Sequence, residues 1–207
     1  MTRLRADGAA AMVLRPTPLE GHGLRLEPYA PPIKTEIAEA LDCDSQGWSV
    51  VSSSGQGEQF ESWWDSALKG MAAETTVAYA VRRLSDGRVL GVSSFINIRA
   101  EHCGVEIGAT FLRPEARAGA VNPTAKLLML ERAFGAGALR VELLTDLRNS
   151  RSQAAIAKLG AVREGVLRRH KVTWTGHIRD TVLFSITDLD WPQVRERLTA
   201  RVEAFGG

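Results

Sequence analysis

The stretch that ends at Lys126 closes with the most suggestive pattern in the chain. A loop of small residues, Arg117-Ala118-Gly119-Ala120-Val121, is followed by Asn122 and Pro123. Asn122 has a good N-cap side chain, and Pro123 suits a first helical position, where no backbone N–H is needed. A helix is therefore expected from residue 123 to about 134. Free N–H groups at a helix N-terminus attract anions, so the loop could seat a pyrophosphate, with Arg117 adding charge. An ordinary loop and cap would use the same residues. A second pattern, residues 149–161, reads as a compact helix with a Ser150–Gln153 capping box and Gly160 as its stop. Ala154, Ala155 and Ala157 are small enough to let something approach closely. Arg151 and Lys158 could meet phosphate groups.

These patterns need a scaffold. Strands are expected over residues 24–26, 77–83, 89–98, 104–112 and 140–145, with a final hairpin of 165–173 and 177–187 around Thr175-Gly176. Ser85-Asp86-Gly87-Arg88 reads as another hairpin turn. Helices are expected over 33–41, 58–73 and 191–205, and residues 49–56 as a loop. Strands 104–112 and 140–145 flank a helix and should run parallel, giving a mixed sheet with helices on its faces. Trp63 and Trp64 sit at helical spacing and serve either the core or a pocket. His170 and His177 read as surface residues, and the basic run from Arg163 to Lys171 as a solvated strand face.

The chain has 207 residues, enough for one domain with a full core. Its 26 basic and 24 acidic residues leave a net charge of +2, too balanced for a nucleic-acid binder. The two cysteines, Cys43 and Cys103, have no zinc-type spacing, so no metal is expected and a reduced, cytoplasmic setting is the simplest reading. No apolar run reaches the ~20 residues of a membrane helix. Residues 1–18 read as a disordered arm and 19–207 as the domain; Met12 is an alternative start.

Taken together the patterns resemble the GNAT superfamily of N-acetyltransferases, and within it the RimJ/RimL-like branch, which includes enzymes that acetylate ribosomal-protein N-termini. Three blocks carry the resemblance: Val105-Glu106-Ile107-Gly108 with the loop to Asn122, then residues 149–160, then Glu164-Gly165-Val166-Leu167-Arg168 with Gly176 and Asp180. The likeness runs from about Leu19 to Val202. It implies an α/β (mixed α+β) GNAT-like fold, with a central twisted mixed sheet of about seven strands flanked by helices on both faces. It also implies acetyl-CoA as co-substrate, its pantetheine arm held in a V-shaped split between strands 104–112 and 140–145. The cofactor-binding residues implied are Ala109, Thr110, Phe111 and Leu112 on the strand, Arg117, Ala118, Gly119, Ala120, Val121 and Asn122 in the loop, and Asn149 and Ser152 at the second helix. Two departures stand out. Ala120 and Asn122 occupy positions where the family favours small residues, Gly first, so Gly119 is expected to take the turn. Ile156 stands where many members have a Tyr that protonates the CoA thiolate, which leaves Ser152 or Ser150 for that role.

The implied reaction transfers acetyl to a primary amine by direct attack through a tetrahedral intermediate. It needs a base for the amine and N–H donors for the oxyanion. Strand alternation puts Val105, Ile107, Ala109 and Phe111 on one face, and Glu106, Gly108, Thr110 and Leu112 on the other. On the resemblance Glu106 is the base, and an N–H near residues 109–111 the oxyanion donor. The acceptor is a small-molecule amine or a protein N-terminus. The rival reading is a degenerate domain that binds CoA or a protein partner without turnover. Neither nucleic acid nor membrane is an expected partner, and the chain is expected as a monomer or homodimer.

Overall fold

Short apolar runs broken by Gly, Pro and charged turns set the strands. A computed structural model describes residues 11–205. Its strands are β1 (Leu19–Gly21), β2 (Leu24–Pro28), β3 (Val77–Arg83), β4 (Val89–Arg99), β5 (Gly104–Leu112), β6 (Arg140–Asp146), β7 (Val162–Val172) and β8 (Ile178–Thr187). The α-helices are α1 (Lys34–Leu41), α2 (Ser45–Trp48), α3 (Phe60–Ala72), α4 (Val121–Gly135), α5 (Ser150–Ala157) and α6 (Trp191–Glu203). One sheet has the order β1-β2-β3-β4-β5-β6-β8-β7. Only β5 and β6 pair in parallel, and α4 makes the crossover that such a pair needs. The mixed α/β sheet expected from sequence is therefore the fold. It has eight strands rather than about seven, because β1 is a three-residue strand too short to leave a periodic signal. The turns at Gly87 and Gly176 stand where expected, both at positive φ.

Two cores cover the two faces. One packs Tyr79, Phe95, Val105, Ile107, Val141 and Ile186 under α4 and α6. α4 is buried over most of its surface because it lies between the sheet and α6, where Phe134 stacks on Trp191 at 4.9 Å. The other core packs Ile37, Leu41, Trp48, Trp64 and Phe111 under α1 and α3. Trp64 stacks on Tyr29 at 4.9 Å, and burying a side chain of that size is worth roughly 1.5–3 kcal/mol. Residues 1–10 of the expected arm lie outside the described residues. Ala11 and Met12 are buried, and the Met12 N–H donates to the Ala100 carbonyl at 3.2 Å. No helix among the described residues is long and apolar enough to cross a membrane.

Candidate functional site

The site is made by a strand that changes direction. β5 pairs with β6 only from Gly104 to Glu106, against Arg140 to Glu142. Further along, Ala109 and Thr110 together stand opposite Ser93 of β4, a β-bulge. Ala109 takes φ +47° there. A bulge bends its strand and strengthens the twist, and β5 swings away from β6. Gly91 makes room on the other side: its φ is +150°, and a Cβ would meet the Phe111 carbonyl oxygen at 2.1 Å. The extra residue also reverses the alternation. Thr110 faces α4 with Val105 and Ile107, while Phe111 joins Glu106 on the opposite face. The expected face assignment is thus wrong beyond Gly108, since it assumed an unbroken strand.

Between the diverging strands lies a cleft of about 420 Å³ that runs through the sheet. On the α4 side it is lined by Asn122, Lys126, Asn149, Ser152 and Ile156; on the other by Trp48, Trp63, Glu106, Lys171 and Arg179. Ala109, Thr110, Phe111, Leu112, Arg117 and Ala118 also line it. Gly119, Ala120 and Val121 do not form its wall.

The loop before α4 differs in detail from expectation. α4 begins at Val121, so its cap is Ala120; Asn122 and Pro123 lie inside the first turn. Ala120 offers no side-chain cap to the N–H groups of Val121 and Asn122; Pro123 has no N–H, and the Thr124 N–H donates to the Ala120 carbonyl at 2.9 Å. Ala118, not Gly119, takes the left-handed turn, at φ +60°. Arg117 is committed elsewhere: its Nη1 bonds Asp44 Oδ2 at 2.5 Å, its Nε donates to the Leu112 carbonyl at 2.8 Å, and the guanidinium lies over Phe111. That pairing holds the Asp44 carboxyl below its usual range and neutralises the charge expected for a phosphate. At α5 the cap is Asn149, not Ser150: Asn149 Oδ1 accepts the Ser152 N–H at 3.0 Å. Gln153 closes no capping box; it donates to the Leu147 carbonyl at 2.8 Å. Sequence reasoning missed Lys126. Its amine is buried and donates to Thr110 Oγ1 at 2.6 Å and Ser93 Oγ at 2.9 Å, and burial lowers its pKa to about 7. The signal was present: one lysine inside the otherwise apolar run Ala125-Lys126-Leu127-Leu128-Met129-Leu130.

The opposite half holds two carboxylates in unlike states. Glu106 is only 5% exposed, and burial raises its pKa, although Lys171 and an Asn97 Nδ2 hydrogen bond of 2.7 Å pull the other way. Asp146 is buried too, but accepts the Arg148 N–H and ion-pairs with its guanidinium at 2.8 Å, which keeps its pKa low. The two carboxyls are thus shifted in opposite directions, Glu106 up by burial and Asp146 down by Arg148. Trp64 is core, while Trp63 lines the cleft. His170 is exposed, but Lys171 of the basic run turns into the cleft.

A family profile described as "Acetyltransferase (GNAT) domain" matches residues 24–162. The chain belongs to the GNAT acetyltransferase family. A GCN5-related N-acetyltransferase from Brucella melitensis superposes with a TM-score of 0.85 at 25% identity, over 93% of this chain and 88% of that one. A T. thermophilus protein, described only as an acetyltransferase, is 35% identical, with a TM-score of 0.79 over 92% of this chain and 99% of its own. Mycobacterium smegmatis RimJ in complex with CoA-disulfide shares the fold at 21% identity, with a TM-score of 0.72 over 89% and 92% of the two chains. No curated protein matches significantly. GNAT proteins use acetyl-CoA, and the residues that line this chain's cleft include Asn122 from the first turn of α4.

Proposed function

We propose that this GNAT domain, residues 19–207, transfers acetyl from acetyl-CoA to a primary amine in the cytoplasm by direct attack through a tetrahedral intermediate. The observation that carries the reading is the cleft itself, which joins Asn122 in the first turn of α4 on one face of the sheet to the buried Glu106 carboxyl on the other. Acetyl-CoA supplies the thioester electrophile. The first N–H groups of α4, with Asn122, hold its phosphates, and Asn149 and Ser152 border the arm. The displaced bulge backbone at Ala109, Thr110 and Phe111 offers N–H groups to the developing oxyanion. Glu106 takes the amine's proton. The Ser152 hydroxyl stands on the cleft wall where a leaving thiolate needs a proton, close to Ile156, which carries none. The acceptor is a small-molecule amine or a protein N-terminus.

Calorimetric titration with acetyl-CoA tests the reading. Saturable binding near one equivalent, with acetylation of an amine panel, is expected; a folded sample that binds no acetyl-CoA would sink it. Saturable binding without turnover would leave a binding module. A variant tests where the phosphates sit. A Cβ at Gly119 meets nothing within 4 Å, so Gly119→Val should leave the thermal midpoint within about 2 °C of the parent. Acetyl-CoA affinity should nevertheless fall by about tenfold as the branched side chain crowds the ligand. Unchanged affinity would move the phosphates away from this loop.

A further inference from the structure

Beyond the end of β6 the last two strands place two positive charges side by side. Lys171 of β7 stands directly opposite Arg179 of β8. Like charges in that position on neighbouring strands repel each other. Neither is ion-paired among the described residues. Arg179 is 6% exposed, and its one side-chain hydrogen bond runs from Nη1 to Ser52 Oγ at 2.7 Å. Its Nε is buried with no partner at all. A guanidinium so far removed from water is costly unless an anion completes it.

The carboxylates nearby make no ion pair with it. Asp146 lies in the field of Arg179 but is ion-paired to Arg148, and Glu142 is paired with Arg99 and Arg140. Glu106 feels the field of both cations but is hydrogen-bonded to Asn97. β-strand alternation and pairing put Glu106, Glu142, Asp146 and Arg179 on one face of the sheet. Lys171, Arg179 and Glu106 line the same cleft. The roof above them is fixed: the Trp174 N–H donates to the Ser52 carbonyl at 3.1 Å, and Trp174 Nε1 to the Trp48 carbonyl at 2.9 Å. That half of the cleft therefore holds a carboxylate and two cations beneath an anchored loop.

We propose that Arg179 and Lys171 form an anion subsite that selects acceptors bearing a carboxylate a few atoms from the amine to be acetylated. The amine faces Glu106 while its carboxylate completes the guanidinium. This rests on the transferase reading given above and narrows its acceptor. Two sources share that chemistry, a free amino acid and a peptide N-terminus with an acidic residue close behind it. Trp48, Val51, Trp63 and Ile96 give the cleft apolar walls for the rest of the molecule.

The test uses the full chain, saturated with CoA for binding and with acetyl-CoA for turnover. The first pair of probes is L-leucine and L-leucinamide. The second is the C-terminally amidated tripeptides Ala-Asp-Ala and Ala-Asn-Ala. At least one acidic probe should be favoured over its neutral match by about tenfold or more in kcat/KM. The pair that responds identifies the source. Lys171→Gln and Arg179→Gln should each bring that ratio towards one. Ser52→Ala, which removes the one side-chain hydrogen bond of Arg179 but leaves both charges, should lower it less than either charge removal. Equal kcat/KM for acid and neutral in both pairs would overturn the subsite and spare the transferase reading. Calorimetric binding of an acidic probe without acetylation would do the reverse.

Discussion

Glu106→Gln should lower kcat about 10²- to 10³-fold, as expected when a general base is removed, while the acetyl-CoA Kd changes less than about threefold. In the proposed reading the two effects separate because Glu106 and the first turn of α4 line opposite faces of the cleft. Gln keeps an oxygen that can accept the Asn97 N–H, so the pair seen at 2.7 Å survives and the thermal midpoint should hold. The pH profile gives an independent check. A base works as its carboxylate, so activity must rise with pH through the Glu106 pKa. Burial raises that pKa above the ordinary 4.5, and the acid limb should sit correspondingly high. In Glu106→Gln that limb should vanish from kcat. A variant that keeps both rate and limb would remove Glu106 from the chemistry.

The order of strands and helices, the parallel pair and the two hairpin turns were legible because each has a local signature: apolar alternation, a Gly at positive φ, a Pro or Gly at a boundary. The site was legible to the level of segments. Its geometry was not, for physical reasons that can be named. The bulge rests on Ala109 at φ +47°, a conformation that sequence patterns assign to glycine, so nothing announced the reversal that carries Phe111 to the Glu106 face. Arg117 looked free because its partner, Asp44, lies 73 residues away. Trp63 and Trp64 are adjacent on α3, and only packing decides that one stacks in the core while the other borders the cleft. Arg179 and Lys171 come together through strand register, which a bulge in β7 sets and periodicity alone cannot supply.

Lys126 offers the second large effect, and its sign follows from linkage. Its pKa is lowered from 10.5 to about 7 by burial. Below about pH 7 the amine is charged in both the folded and the unfolded chain, so the full cost of burying a cation is present. Between about 7 and 10.5 the unfolded chain holds a proton that the folded one has released, and stability must rise with pH. Each pH unit of that gap is worth about 1.4 kcal/mol, so the whole window amounts to an upper limit of about 5 kcal/mol. Lys126→Met should erase this rise, and should be the more stable protein below pH 7 by a few kcal/mol. Ser93 and Thr110, 2.9 Å apart, still satisfy each other in the variant. Urea unfolding at pH 6, 8 and 9.5 measures the difference; parallel stability curves for the two proteins would mean the amine is solvated or paired in a way the cleft does not suggest. A lysine that costs stability at neutral pH, touches the bulge through Thr110 and borders the cleft is kept against the interest of the fold, as functional sites keep strained groups. The same substitution that stabilises the chain should therefore also slow acetyl transfer, because it removes the amine from the cleft and with it the Lys126–Thr110 hydrogen bond.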